Sequence, residues 1–221
     1  MKNLTIILTI LPLTVFGGCS VNTYRGMHWD IFLENPSKNS LVELENEVSS
    51  SAERCSWADP KNHGVVSVEA GQRLYRLIAE GNEFAFQAGL LVMRCLDGGE
   101  LEDFHRSAGH FFEAKPSVFL KMAEEKNTPE TTIKSMLTML PFDTVDNIDR
   151  AITAVERRIA ILEAISDSSF DVLKKTYLSF LEDQKAMLSK VKKEIGESNS
   201  NSSREHSPDY ANQSQLILVQ P

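Results

Sequence analysis

Apolar positions along this chain recur at intervals of three and four, the spacing of one helix face. Nowhere in the body do they alternate in the period-two manner of a strand. Leu41, Leu44 and Val48 open the series, with Ser40 as the expected cap of a helix over 40–54. A loop carrying Pro60 and Gly64 follows, and Ser67 precedes a helix with Leu74, Leu77 and Ile78 on one side, closed by Gly81-Asn82. Residues 83–96 are apolar nearly all round (Phe84, Phe86, Leu90, Leu91, Val92, Cys95), which predicts a helix buried at the centre. Asp97-Gly98-Gly99 stops it. A helix over about 100–113 and a short one through Val118–Met122 come next. Thr128 as N-cap with Pro129 in the first helical position then starts a helix bearing Ile133, Met136, Leu137 and Leu140.

Two longer helices complete the pattern. The first starts at Asp143 or Thr144 and carries Val145, Ile148, Ile152, Val155, Ile159, Leu162 and Ile165 on one face. After Ser166-Asp167-Ser168-Ser169 the second carries Phe170, Leu173, Tyr177, Phe180, Leu181, Met187, Leu188 and Val191. Stripes joined by so short a loop form an antiparallel αα-hairpin. The expected fold is therefore all-α: an irregular multi-helix bundle, or a short α-solenoid-like stack, ending in a long antiparallel helical hairpin. The reading divides the chain into 1–18, 19–37 as a tether ending in a short element with the apolar cluster Trp29, Ile31, Phe32 and Leu33, 38–195 as the helical domain, and 196–221 as a Ser/Asn-rich tail too polar to bury a core. Leu216-Ile217-Leu218-Val219 interrupts that tail near its end.

The first residues follow a different logic. Met1-Lys2-Asn3 is a short cationic start, and Leu4–Phe16 is an apolar run broken by Thr5, Thr9, Pro12 and Thr14. As a helix that run rises about 20 Å against about 30 Å of hydrocarbon, so it reads as a signal-peptide core rather than a permanent span. Phe16-Gly17-Gly18-Cys19 resembles the lipobox of bacterial lipoproteins, with Phe16 where Leu is usual. The resemblance implies cleavage before Cys19, a diacylglyceryl thioether on its sulfur and an acylated amino terminus. Several acyl chains, at about 0.8 kcal/mol per buried methylene, make a lasting anchor. Ser20, in place of an Asp, implies retention at the outer membrane with the body facing the periplasm. The competing reading is an ordinary secretory signal or uncleaved anchor with a coincidental cysteine.

Composition narrows the partners. The chain has 221 residues and a net charge of −8, which becomes −9 when Lys2 leaves with the signal. Such a surface repels phosphate backbones, so nucleic acid is not an expected partner. Besides Cys19 only Cys55 and Cys95 remain. In an oxidising compartment two such thiols point to a disulfide; the alternative is two small buried side chains.

Candidate chemistry is sparse. Glu102 and His105 form a Glu-x-x-His pair on one helix face, as in di-iron bundles, but the second such motif is absent and a local ion pair is the plainer reading. His110 and Glu113 repeat the spacing without converging on His105. Asp59, His63 and Ser67 are close in sequence only. Glu69 and Glu83 are the carboxylates to consider for a cell-wall hydrolase. No catalytic residue, metal or cofactor is expected. Phe104, Phe111, Phe112 and Phe119 cluster in one stretch; they belong to the core, or, if exposed, to a partner groove. The leading expectation is a helical module binding another envelope protein, as adaptor, assembly factor or toxin-neutralising protein. The alternative is an enzyme acting on cell wall, glycan or lipid. Oligomeric state is not encoded in these patterns.

Overall fold

The computed structural model describes residues 27–50 and 68–205, all of it helix, turn or connecting loop. The helices are α1 (Met27–Glu34), α2 (Lys38–Ser50), α3 (Val68–Ala79), α4 (Glu83–Val92), α5 (Gly98–Ala114), α6 (Pro116–Glu125), α7 (Glu130–Thr138), α8 (Phe142–Val145), α9 (Ile148–Glu163) and α10 (Asp171–Glu205). A 3-10 turn, Met93–Cys95, extends α4. The Phe16–Cys19 segment expected to act as a lipobox, Cys55 and the 216–219 cluster lie outside the described residues. No described helix is long and apolar enough to cross a membrane.

The multi-helix architecture matches the sequence pattern. α5 is its axis, packing on α3, α4, α6 and α7 and so joining the α1–α4 group to the α7–α10 group. α4 buries Ala85, Phe86, Ala88, Gly89, Leu90 and Val92, as an all-round apolar helix must. Phe86 stacks on Phe111 with ring centroids 4.3 Å apart and on Phe119 at 5.4 Å, while Phe112 meets Phe119 edge-on. The long hairpin is antiparallel. Lys185 pairs with Glu156 and Lys192 with Asp149, so a step forward on α10 is a step back on α9.

Several boundaries differ from the sequence reading, each for a local reason. α1 lies inside the expected tether because Trp29, Phe32 and Leu33 are buried, with α1 packed on α2 and α3. Ser37, not Ser40, caps α2. The Ser37 N–H donates to Ser40 Oγ at 3.0 Å and the Ser40 N–H to Ser37 Oγ at 3.3 Å, a capping box with serine at both ends. Pro129, not Thr128, is the N-cap of α7: its ψ of 140° is not helical, while its carbonyl accepts the Ile133 N–H at 3.1 Å. The first long helix starts at Ile148, after the separate single turn α8; the Asn147 side chain accepts the Arg150 N–H at 3.0 Å and ends the break. α10 runs to Glu205, ten residues into the expected tail. Lys190–Glu194 and Lys193–Glu197 pairs at i,i+4 spacing extend it where apolar contacts stop. Along α10, Met187, Val191 and Ile195 are exposed.

His105 is buried in α5 at 7% exposure, beside Phe104, and its Nε2 has no hydrogen-bond partner. Burial lowers its pKa below the usual 6.5, against the opposing pull of Glu102. Below about pH 6.5 the unfolded chain takes up a proton that the folded chain refuses, so this contribution is complete above that pH and lost as the pH falls. In urea titrations, His105→Gln should therefore lose less stability than wild type between pH 7 and pH 5. Parallel profiles would show that His105 titrates normally in the fold.

Candidate functional site

A surface rich in charged side chains lies where α5, α7, α8 and α9 meet, and Arg158 lies beneath it. That side chain is fully buried. It stands on the α9 face between Val155 and Leu162, among the residues that pack inward. Its Nε donates to Glu113 Oε1 of α5 at 2.8 Å. Its Nη1 donates to the carbonyls of Leu137 at 2.7 Å and Met139 at 2.9 Å. These carbonyls end α7 and have no helical donor of their own. Gln184 of α10 caps the one between them, Thr138, through its Nε2 at 2.6 Å. One guanidinium and one amide thus finish α7 from two other helices, with the cation at the negative end of the helix dipole. Burial pushes the Arg158 pKa down and Glu113 holds it up; a guanidinium stays charged under these opposed influences. Gly109 makes the arrangement sterically feasible. A Cβ there would lie 2.5 Å from Arg158 Nη2 and 2.9 Å from the Met136 carbonyl oxygen.

With α7 finished in this way, Pro141 turns the chain into α8, whose Thr144 hydroxyl and N–H both donate to the Pro141 carbonyl. α8 presents Phe142, 64% exposed, at the surface. The Arg106 guanidinium of α5 lies 3.7 Å from the centroid of that ring. A cation over a ring this exposed contributes about 0.5–1 kcal/mol.

Two open clefts flank this knob. One, of about 480 Å³, is lined by His110, Glu113, Asp143, Asp149, Arg150 and Arg157. The other, of about 500 Å³, is lined by Tyr75, Arg76, Asp103, Arg106, His110 and Phe142. Arg76, Arg106, Arg150 and Arg157 line these clefts and Arg158 lies beneath them. Half of the ten arginines of an acidic chain therefore gather at one junction, interleaved with Asp103, Glu113, Asp143 and Asp149.

The residues singled out from sequence fall elsewhere or into other roles. Phe104, Phe111, Phe112 and Phe119 are fully buried, so they are core and the partner groove is not there. Glu102 does not pair with His105 but with Arg106, whose Nη2 donates to it at 3.2 Å. No group of His, Cys, Asp and Glu suited to a metal occurs among the described residues. Glu113 is held by Arg158 and Arg157, and Glu83 accepts from Lys115 at 2.6 Å. Glu69 is exposed on the first turn of α3. Asp59, His63 and Ser67 lie outside the described residues. His110 is half-buried and belongs to both clefts. Sequence reading missed Arg158, Arg106 and Phe142. Arg158 left a trace, because it falls three after Val155 and four before Leu162 on the apolar stripe. Comparison with protein families, with curated proteins and with solved structures finds no match to this chain.

Arg158→Met should destabilise the fold by about 3–5 kcal/mol in urea unfolding, because Glu113 and the α7 carbonyls lose their buried partner. Gly109→Ala should also destabilise it, by pushing that guanidinium aside. If Arg158→Met is as stable as wild type, the junction is not held by this side chain.

Proposed function

We propose that this protein is an envelope lipoprotein, held in the outer membrane by acyl groups on Cys19 with its body in the periplasm, and that the body binds another envelope protein. The chain supports the first part through Phe16-Gly17-Gly18-Cys19 and the apolar run before it. The Cys55–Cys95 disulfide belongs to the same proposal. It is supported by the cysteine count of the exported portion and by the half-buried position of Cys95 in the turn after α4.

The observation that carries the binding role is Phe142. A large aromatic side chain stands 64% exposed on a short turn whose base is tied down by a buried arginine. It lies between two shallow clefts rich in arginine. Aromatic and arginine side chains on a pre-formed support carry a large share of the energy in protein interfaces. An adaptor, an assembly factor and a toxin-neutralising protein would all use such a surface in this way.

A photo-crosslinking residue placed at position 142 of the cell-borne protein should give one discrete adduct with an envelope protein, whereas the same residue at position 42 on α2 should not. Adducts of equal pattern from both positions would overturn the assignment of this surface. Intact-mass analysis of the same material should show Cys19 as an acylated amino terminus; an unmodified thiol or a retained leader would overturn the anchor.

A further inference from the structure

Arg106 keeps two donors without an acceptor, and Phe142 keeps an exposed ring. The Arg106 side chain is only 13% exposed. Its Nη2 reaches Glu102, but Nε and Nη1 are closed off from solvent and have no acceptor. A buried donor without a partner costs about 1–3 kcal/mol, and more on a charged group. Phe142 supplies the cover over this guanidinium, yet its own ring faces solvent. One movement relieves both. α8 is a single four-residue turn, and swinging the Phe142 ring off Arg106 would expose the unmet donors to the cleft between α3, α5 and α8.

The cleft specifies what would take the place of the ring. Arg76 and His110 line it as further nitrogen donors. Burial raises the Tyr75 pKa, so its hydroxyl keeps its proton and remains a donor. An acceptor with negative charge fits this set. Asp103 and Asp143 also line the cleft. They oppose a dianion more than a monoanion, which favours a carboxylate over a phosphate.

We propose that this cleft is a carboxylate-binding subsite for an acidic side chain of a partner's peptide segment, which displaces the Phe142 ring from Arg106. The inference rests on the reading that the surface around Phe142 receives a protein. In the displaced position the ring is free to pack on the same segment, so the charge and the aromatic group act on one ligand.

The test is a titration of the isotope-labelled full chain in detergent micelles, followed by NMR of the arginine Nε–H groups. The probes are a capped glycine–glutamate–glycine tripeptide, its glutamine counterpart, sodium acetate and inorganic phosphate. The Arg106 resonance should shift saturably with the glutamate peptide, at least about tenfold more tightly than with acetate. The glutamine peptide and phosphate should leave it unmoved. Phe142→Ala should tighten the glutamate peptide, because the cover is gone, and in Arg106→Gln the Arg76 resonance, which reports on the same cleft, should no longer shift with the peptide. Equal affinity for acetate and peptide would overturn a peptide source in favour of a free small carboxylate. A preference for phosphate, or no shift at Arg106, would overturn the subsite. Crosslinking at position 142 with a silent Arg106 would remove this inference and keep the binding role; a responsive Arg106 without any adduct would keep a carboxylate subsite but overturn a partner protein as its source.

Discussion

The guanidinium of Arg158 holds three helices at one point. Its donors face a carboxylate on α5 and the unfinished carbonyl end of α7, while its stem belongs to α9. A buried cation is costly unless it is paired and hydrogen-bonded. This one is matched with a partner for each of two nitrogens. The third, Nη2, lies against Gly109 with no acceptor. The interaction is therefore specific rather than cheap. It admits one arrangement of α5, α7 and α9, and it asks for the absence of a side chain at residue 109.

The surface follows from that anchor. α7 can stop at Thr138 in a packed environment because α9 and α10 supply the donors that its last carbonyls need. The chain leaves this point through Met139, Leu140 and Pro141 into a turn too short to hold itself, and the turn places Phe142 outside the core. Rigidity below and exposure above are two sides of one junction. Arginines and carboxylates alternate around that turn, so charge there is arranged in local pairs and does not follow the acidic sign of the whole.

The all-α class, the central place of residues 83–96 and the closing hairpin were legible because they depend on periodicity, which a linear pattern carries directly. Helix ends were less legible because they depend on competition for single N–H groups. Ser37 and Ser40 satisfy one another, and Pro129 takes the cap position of α7 because its ψ is not helical while its carbonyl accepts the Ile133 N–H. The phenylalanines of α5 and α6 were visible as a cluster, but whether a cluster is core or groove depends on what covers it. Here they cover one another, with Phe86 of α4 stacked on Phe111 and Phe119.

From the order of residues alone come the helices, their number in broad terms and the buried character of α4, since each is a property of neighbouring positions. The site could not come from there. Arg158 meets Glu113 across 45 positions and the α7 carbonyls across about 20, while Arg106 meets Phe142 across 36. A charged side chain on an apolar stripe and an aromatic after a proline are unremarkable in a string of letters. They acquire a role only when packing removes water from the first and leaves the second uncovered.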